Sequence, residues 1–207
     1  MNAATRHLMQ ADPVLAALIR RVGRCRLAKE PGEPYTALVN AIAHQQLHGR
    51  AARTILGRFL ALYPDGAFPT PAQILSTPDT AMRACGFSAG KTAAIRDIAA
   101  KAAEGVVPTR RAAARLSDAA LIERLTVIRG VGRWTVEMLL IFTLGRADVL
   151  PVDDFGVREG YRRIHNLDAQ PKPRELASMG EVWAPYRSTA AWYLWRAAEE
   201  RQADGPA

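Results

Sequence analysis

Two adjacent carboxylates, Asp153 and Asp154, follow a proline in the segment PVDDFGV (residues 151–157). One of them could cap a helix that begins near Phe155, because an aspartate side chain accepts N–H bonds from a first helical turn. A positioned carboxylate can also stabilise positive charge or activate water. If the chain binds a polyanion such as nucleic acid, a carboxylate near the bound polyanion would repel it. A catalytic role is one reason for a carboxylate to be present there. The pattern leaves both interpretations open.

A glycine-containing turn lies upstream, in the segment IRGVGRWT (residues 128–135). Gly130 can adopt the positive φ that reverses a chain, Val131 can fill the gap between two helices, and Gly132 lets the backbone approach a ligand. The following helix would begin with N–H groups suited to a phosphate oxygen. Such bonds fix position without reading base sequence. An ordinary turn between helices would use the same glycines, so both interpretations stand.

The charge balance favours a polyanionic partner, with nucleic acid as the first candidate. There are 28 Lys and Arg against 20 Asp and Glu, which gives a formal net charge of +8. Most of the basic residues are arginine, which suits phosphate, although a GC-rich genome would produce the same bias. A hydrophobic fraction of 49% excludes wholesale disorder and fibrous structure.

Other features of the composition argue against membrane, disulfide-rich and metal-binding proteins. No apolar run approaches the roughly 18 residues of a membrane-spanning helix, and no apolar signal segment opens the chain, so we expect a soluble, cytoplasmic protein. The two cysteines, Cys25 and Cys85, exclude a disulfide framework and an iron–sulfur cluster held by this chain alone. The four histidines lack the spacing of zinc ligands.

Helix signals recur along the whole chain, so the sequence predicts an all-α fold. Ser88 and Ser117 are each predicted to cap a helix, the first of which stops at Gly105. The run 136–144 is apolar nearly all round and predicts a buried central helix. Alternating apolar runs are too short to build a sheet.

The chain is predicted to form a single domain, 1–207, made of two helical lobes. A basic, alanine-rich connection at 110–115 places their approximate boundary near 110–116, although a solvated linker explains it equally well. Residues 1–30 and 201–207 are predicted to be peripheral, either as packed extensions or as frayed ends.

Four motifs in order resemble the helix-hairpin-helix DNA glycosylase superfamily, and within it the 3-methyladenine DNA glycosylase II family. They are AHQQL (43–47), the hairpin at 128–135, the PVDDFGV segment with Asp154 twenty residues after Trp134, and WAPYRS (183–188) with Trp195 beyond it. The likeness covers about residues 35–196. It implies a compact form without the N-terminal β domain of longer members, with a helix-hairpin-helix motif and a DNA-binding cleft between the lobes. The implied enzyme flips a damaged nucleotide and cuts its base–sugar bond.

The resemblance assigns catalysis to Asp154, with Asp153 as a supporting group or helix cap. Asp154 would face the sugar C1′ in its ionised form and stabilise an oxocarbenium-like sugar. At about 4 Å and an effective dielectric constant near 20 the attraction is ~4 kcal/mol, which is roughly a thousandfold in rate. The same carboxylate could orient or deprotonate the attacking water.

The implied substrate pocket contains Trp134, Met138 and Trp195. Bifunctional relatives place a nucleophilic lysine where this chain has Trp134, so base release without strand cleavage is expected. The two indole faces suit the cationic bases 3-methyladenine and 7-methylguanine. Met138 stands where a longer family member has tyrosine, which implies a differently shaped pocket. Trp183 and Trp192 are predicted to be core residues.

The loop at Gln46 and Leu47 resembles the family's DNA wedge. Leu47 would fill the space left by the flipped nucleotide and Gln46 would bond the estranged base, although a contact between helices also explains Leu47. The residues that the resemblance assigns to DNA binding are Gln46, Leu47, Lys91, Arg129, Gly130, Val131, Gly132 and Arg133.

Three of the assigned residues have structural alternatives. Lys91 matches a basic helix start near the phosphates, but it could equally be solvated. Arg187 and Ser188 match a recurring family segment as supporting residues, and a structural bond explains them as well as a DNA contact does.

The resemblance also bears on cofactors and partners. No cofactor is required, but carbonyl groups of Ile128, Gly130 or Val131 could hold a monovalent cation, Na⁺ or K⁺, at the hairpin. The expected partners are double-stranded DNA with alkylated bases and a downstream AP endonuclease. The chain is expected to act as a monomer.

Two other functions compete with an alkylbase glycosylase. A non-catalytic protein could use the hairpin only to hold DNA, and its binding would survive Asp154→Asn. A glycosylase for oxidised or deaminated bases would need hydrogen bonds to the base edge, which Trp134 and Trp195 do not favour.

Overall fold

The structure, a computed structural model, describes residues 2–47 and 49–200, and this part of the chain is helical without any strand. The predicted all-α fold is therefore confirmed. No helix within it combines the length and the apolar character needed to cross a membrane. The helices are α1 (Ala3–Ala11), α2 (Pro13–Val22), α3 (Pro34–His44), α4 (Gly49–Leu60), α5 (Pro71–Ser76), α6 (Asp79–Ala84), α7 (Ala89–Ala103), α8 (Arg110–Ala113), α9 (Asp118–Leu125), α10 (Arg133–Met138), α11 (Phe155–Ile164), α12 (Pro173–Met179) and α13 (Arg187–Glu199).

Local capping explains where several helices begin. The Ser88 side chain accepts a bond from the Lys91 amide at the start of α7, and Ser117 does the same for Ala120 at the start of α9. Both caps were predicted from sequence. After α7, Gly105 takes a φ of 77°, which a residue with a side chain rarely adopts.

The helices group into two compact units. The first unit comprises Met1–Lys29 and Leu140–Ala207, and the second comprises Glu30–Leu139. This division differs from the predicted boundary near 110–116.

The segment that suggested that boundary forms α8, which lies inside the second unit. Thr109 caps α8 by accepting from the Ala112 amide. The Arg110 amide donates to Glu33 Oε2 at 2.7 Å, and its guanidinium donates to the Glu30 carbonyl at 2.7 Å. A basic, alanine-rich composition indicated a linker, but these bonds anchor the segment as part of the unit.

The first unit contains the amino-terminal helices in its core. Leu8 of α1 and Leu15 of α2 are fully buried, so the prediction that residues 1–30 are peripheral is wrong for these two helices. Helix α1 buries Leu8 together with Thr5, and α2 buries one face through Leu15, Leu18 and Ile19. The other predicted extension, 201–207, lies outside the described residues. Buried aromatic and aliphatic members of this core include Val157, Tyr161, Leu176, Trp183, Ala190, Trp192, Tyr193 and Leu194.

Helices α11 and α13 pack backbone against backbone. A Cβ atom added to Gly160 of α11 would lie 1.9 Å from the Leu194 carbonyl oxygen of α13. Only glycine fits at that distance, and small residues such as Ala190 and Ala191 extend the buried face of α13. This close approach sets the distance between α11 and α13.

The second unit packs α3, α5 and α6 against the long helix α7. Ile95 and Ile98 of α7 are completely buried, as are Leu121 and Leu125 of α9. Phe59 adds edge-to-face contacts with neighbouring aromatic rings. Helix α7 therefore forms part of the unit's core along most of its length.

The predicted single helix over 136–144 is two helical segments. Helix α10 ends at Met138, and a π-helical turn follows over Leu139–Leu144. Leu140 is fully buried and Ile141 nearly so. The prediction of a buried helical stretch is confirmed, with a local change of winding that periodicity does not reveal.

Candidate active site

Asp154 occupies the amino-terminal cap of α11 in the first unit. A turn precedes it, in which the Asp154 amide donates to the Pro151 carbonyl at 3.0 Å. Its Oδ1 accepts a bond of 2.8 Å from the Val157 amide and another of 2.8 Å from Trp195 Nε1. The cap and the candidate catalytic group are therefore one carboxylate, whose orientation two N–H donors fix.

Trp195 reaches this carboxylate because Gly156 leaves room for it. A Cβ atom at Gly156 would lie 2.9 Å from Trp195 Cδ1 and 3.2 Å from Asp154 Oδ1. The indole also stacks on Phe142, with ring centroids 5.6 Å apart and an angle of 23° between the rings. Sequence reasoning singled out Trp195 for its aromatic face, and missed the contribution of its N–H group and of Phe142.

The other two residues at this turn differ from Asp154. Asp153 is exposed, and it is Asp154 that caps α11, so the alternative of Asp153 as the helix cap is wrong. Phe155, the first residue of α11, is 71% exposed. An apolar ring is thus presented to solvent directly beside the candidate carboxylate, a feature that sequence reasoning did not single out.

Arg187 and Ser188 make structural bonds at the start of α13. Arg187 binds Asp148 with its Nε and Nη2 atoms at 2.7 and 2.8 Å. These bonds hold the pKa of the Asp148 carboxyl below its usual value. Ser188 is 1% exposed, and its hydroxyl donates to the Arg146 carbonyl and accepts from the Val149 amide. Both residues fix the loop between the π-helical turn and α11.

The predicted hairpin lies in the second unit and has the expected backbone. Gly130 takes a φ of 78°, and Val131 is buried. The Arg129 amide donates to Asp97 Oδ2 of α7 at 2.7 Å. Asp97 was not found from sequence, because it lies 32 residues away and carries no local signal. Gly132 begins α10 in an ordinary extended conformation, and a Cβ atom there would meet open space.

The basic side chains of the hairpin face solvent. Arg129 is exposed, and the side chain of Arg133 is 60% exposed although its Nε donates to the buried Glu137 at 2.9 Å. Gly132, at the amino-terminal cap position of α10, has no side chain with which to cap the helix. The segment thus presents positive charge and backbone N–H groups together.

The loop that follows α3 presents its two predicted wedge residues outward. Gln46 is exposed and takes a φ of 56°, a left-handed conformation that is uncommon for a residue with a side chain. Leu47 is 38% exposed. Gln45 precedes them, and its Nε2 donates to the Gly130 carbonyl at 3.2 Å. A side chain from this loop therefore bonds directly to the hairpin.

Lys91 bonds to the same loop. Its Nζ atom donates to the Ala43 carbonyl at 2.9 Å and to the Gln45 carbonyl at 2.6 Å. Partial burial lowers the pKa of the ammonium group. This arrangement differs from the predicted phosphate contact, because two of the three ammonium donors bond to protein carbonyls.

The three predicted pocket residues are distributed over both units. Trp134 and Met138 belong to the second unit, and Trp195 belongs to the first. Trp134 is 44% exposed and Met138 is half-buried. Their membership of one pocket stays a prediction.

The fold and these motifs define a class of protein. The chain belongs to the HhH-GPD superfamily of base excision DNA repair proteins, whose family model matches residues 39–185. The predicted resemblance to helix-hairpin-helix glycosylases is confirmed.

Individual relatives and solved structures are similar to the chain over most of its length. The chain is 46% identical to DNA-3-methyladenine glycosylase 1 of Schizosaccharomyces pombe, over 95% of this chain and 87% of that protein. It resembles the solved structure of the S. pombe 3-methyladenine DNA glycosylase Mag1 in complex with abasic DNA, with a TM-score of 0.85 over 94% of this chain and 96% of that one. It also resembles a DNA-3-methyladenine glycosidase of Bacillus halodurans, at 33% identity and a TM-score of 0.87 over 96% and 90% of the two chains.

Proposed function

We propose that this chain is a DNA glycosylase of base excision repair that releases 3-methyladenine and 7-methylguanine from double-stranded DNA. One observation carries the proposal. In a chain 46% identical to a DNA-3-methyladenine glycosylase, Asp154 lies at a helix start with Oδ1 bonded to both Val157 and Trp195. A carboxylate in one fixed orientation suits chemistry at a single carbon atom.

Asp154 supplies the negative charge for hydrolysis of the N-glycosidic bond. As the bond between C1′ and the base nitrogen breaks, positive charge develops on the sugar, and the carboxylate stabilises it. The attraction is ~4 kcal/mol at about 4 Å and an effective dielectric constant near 20. A water oxygen then bonds to C1′ and gives up a proton, which Asp154 can accept. The electrons of the broken bond leave with the base, and an alkylated purine that carried positive charge departs neutral.

The substrate pocket uses aromatic faces. Trp195 of the first unit supplies one such face, with Phe142 stacked on it as support. In the second unit, the resemblance assigns the same role to Trp134 and Met138. An electron-rich ring attracts a cationic base by about 0.5–2 kcal/mol, whereas a neutral purine gains only the stacking. The exposed Phe155 lies next to Asp154 in sequence and is available to the same base.

The second unit supplies the DNA contacts. Backbone N–H groups of Gly132 and Arg133 bind a phosphate, while the side chains of Arg129 and Arg133 add positive charge. Leu47 enters the duplex as a wedge, and Gln46 bonds the estranged base. Support comes from the exposure of these groups and from the left-handed backbone at Gln46.

A monovalent cation fits the chemistry of the hairpin carbonyls. The Ile128 carbonyl accepts from the Val131 amide, and the Gly130 carbonyl accepts from Gln45. Each carbonyl oxygen has two lone pairs, so both retain one for Na⁺ or K⁺, together with the Val131 carbonyl. The ion would add positive charge beside the phosphate.

The reaction ends at an abasic site. With Trp134 at the position of the lysine nucleophile of bifunctional relatives, the chain forms no Schiff base and leaves the strand intact. An AP endonuclease then processes the product. We further propose that the protein acts as a cytoplasmic monomer.

The test compares two neighbouring aspartates. Wild type, Asp154→Asn and Asp153→Asn are incubated with methylated duplex DNA, released bases are separated by chromatography, and strand breaks are scored before and after alkali. Asparagine retains the helix cap, so Asp154→Asn keeps the fold while its charge is lost. Asp153→Asn removes the same charge from the adjacent exposed residue.

The proposal expects 3-methyladenine from wild type and Asp153→Asn, none above background from Asp154→Asn, and breaks only after alkali. Equal activity of the two variants would contradict the role of Asp154. If wild type releases no base from methylated duplex but binds it in a gel-shift assay, the protein is a non-catalytic DNA-binding protein. Release of 8-oxoguanine or uracil from duplexes that contain those bases, with none from methylated duplex, would indicate a glycosylase for oxidised or deaminated bases.

A further inference from the structure

The ammonium group of Lys91 lies at the carboxyl end of α3. It bonds to the Ala43 and Gln45 carbonyls at 2.9 and 2.6 Å. The last carbonyls of a helix have no partner within that helix, and a lysine that bonds to them satisfies the acceptors and complements the negative end of the helix dipole. Lys91 of α7 therefore caps the carboxyl end of α3, although it lies 46 residues after Gln45 in the chain.

The same bonds constrain the loop that begins there. Gln46 follows directly after the Gln45 carbonyl that Lys91 binds, and it holds a φ of 56°. The Leu47 amide closes the turn by donating to the His44 carbonyl at 3.3 Å. A left-handed residue persists when its surroundings over-determine it, and the bond from Lys91 is one such constraint.

Helix α7 also holds the hairpin. Asp97 of α7 accepts from the Arg129 amide at 2.7 Å. A Cβ atom on Gly130 would lie 3.1 Å from the Ala94 Cβ of α7, so the hairpin packs directly on this helix. Gln45 completes the connection by donating to the Gly130 carbonyl. One helix thus bonds to both loops that the proposed function assigns to DNA.

We propose that Lys91 is a positioning residue, which holds the Gln46–Leu47 loop in the conformation that enters DNA and neutralises no phosphate. This inference rests on the proposed function for the role of the loop. The bonds themselves exist in the free protein, so part of the test is independent of any reaction.

The central variant is Lys91→Met, which keeps an unbranched stem and removes the charge and all donors. Lys101→Met is the matched control, because it removes one positive charge from the same helix at a lysine whose ammonium bonds to Glu104, at 2.6 Å, and to neither of the loop carbonyls that Lys91 binds. Lys91→Arg restores the charge and donors. Should Lys91→Met not fold, Lys91→Gln takes its place as the uncharged variant.

The first readout is the salt dependence of binding to lesion-free duplex DNA. Loss of a phosphate contact reduces the slope of log affinity against log salt by about 0.9. If Lys91 only positions the loop, the slope for Lys91→Met equals that of wild type. A slope smaller by about 0.9 in Lys91→Met, and unchanged in Lys101→Met, would overturn the proposal.

The second readout is amide hydrogen exchange of residues 45–47 in the protein without DNA. We expect it to be about tenfold faster in Lys91→Met, near wild type in Lys91→Arg and unchanged in Lys101→Met. Unchanged exchange in Lys91→Met would also overturn the proposal, because the loop would then be held without Lys91.

The third readout is base release from alkylated duplex under single-turnover conditions at saturating enzyme. We expect a rate about tenfold lower for Lys91→Met, with partial recovery in Lys91→Arg. A rate equal to wild type would contradict a role of the loop conformation in catalysis. If wild type itself releases no alkylated base, the proposed function fails, while the exchange and salt readouts still decide whether Lys91 positions the loop.

Discussion

In the first unit, one carboxylate is held in a fixed orientation, because the Trp195 side chain and the backbone of α11 both donate hydrogen bonds to Asp154. In the second unit, side chains instead hold the backbone in place. Lys91 donates to carbonyls of one loop, and Asp97 accepts from an amide of the hairpin. A carboxylate that acts on one carbon atom needs a precise orientation toward that atom. Backbone groups that bind phosphate need only a fixed position, because phosphate contacts carry no base sequence.

The largest expected effect comes from the helix contact that supports the carboxylate. Gly160→Ala would place a Cβ atom 1.9 Å from the Leu194 carbonyl oxygen, so α11 and α13 must separate. We expect a loss of about 3 kcal/mol in the free energy of unfolding, measured by urea denaturation, together with weaker base release.

The matched control is Gly57→Ala on the exposed side of α4, where a Cβ atom meets nothing within 4 Å. Alanine favours a helix over glycine by about 0.5–1 kcal/mol, so this variant should be slightly more stable than wild type. If the two variants were equally stable, the close packing of α11 on α13 would be refuted.

Trp195→Phe tests the side-chain donor to Asp154 while an aromatic face stays available to the base. Phenylalanine keeps an aromatic ring against Phe142 but cannot donate a hydrogen bond. A hydrogen bond to a charged group contributes about 2 kcal/mol, so we expect the single-turnover rate of base release to fall about thirtyfold. Trp192→Phe makes the same change on the same helix without touching Asp154 and should leave that rate within a few-fold of wild type. Equal losses in both variants would point to a packing effect only.

Gly132→Ala tests the backbone contact in the second unit. The added Cβ atom meets open space and the φ of −90° is ordinary, so the free energy of unfolding should change by less than about 1 kcal/mol. If a phosphate approaches this backbone closely, DNA affinity should fall about tenfold, or ~1.4 kcal/mol, while the rate at saturating enzyme is retained. Fluorescence anisotropy with an abasic duplex measures the affinity. Unchanged affinity would place the phosphate elsewhere.

The smallest expected effect concerns the loop before the carboxylate. Arg187 lowers the pKa of Asp148 in the folded protein, so the ion pair stabilises the fold above the ordinary aspartate pKa of about 3.9 and loses that effect as the pH falls below it. Since both side chains are 33% exposed, Asp148→Asn should cost about 1 kcal/mol at pH 7.

Urea denaturation at pH 7, 5 and 3 checks this dependence. The difference between wild type and Asp148→Asn should persist at pH 5 and shrink at pH 3, because Asp148 takes up a proton in the unfolded chain at a higher pH than in the folded protein. Asp153→Asn, a change at an exposed neighbour, should differ little from wild type throughout. A constant difference down to pH 3 would show that the ion pair has no part in it.

Features with local causes could be predicted from sequence. Ser88 and Ser117 cap helices through bonds to residues three positions ahead, and Gly130 reverses the chain through its own φ. Asp154 was open to two interpretations, cap or catalytic group, and the structure unites the cap with the candidate position. The family could be predicted from the order of the four motifs, whereas no single motif specifies it.

Features that depend on distant parts of the chain could not be predicted. The donor to Asp154 from Trp195 spans 41 residues, and the bond from Lys91 to Gln45 spans 46. The boundary near 110–116 failed because composition suggested a linker where bonds from Arg110 anchor α8. In α2, Leu15, Leu18 and Ile19 recur at helical spacing and do indicate a buried face, whereas α1 has a single leucine and gives no such signal.

The most direct test of the comparison measures rate and affinity separately for Asp154→Asn. Single-turnover release of 3-methyladenine at saturating enzyme gives the rate, and anisotropy with an abasic duplex gives the affinity. We expect a rate roughly a thousandfold below wild type with affinity unchanged or tighter, since a negative charge near DNA is removed. A rate within tenfold of wild type, or a loss of affinity that accounts for the lost rate, would contradict it.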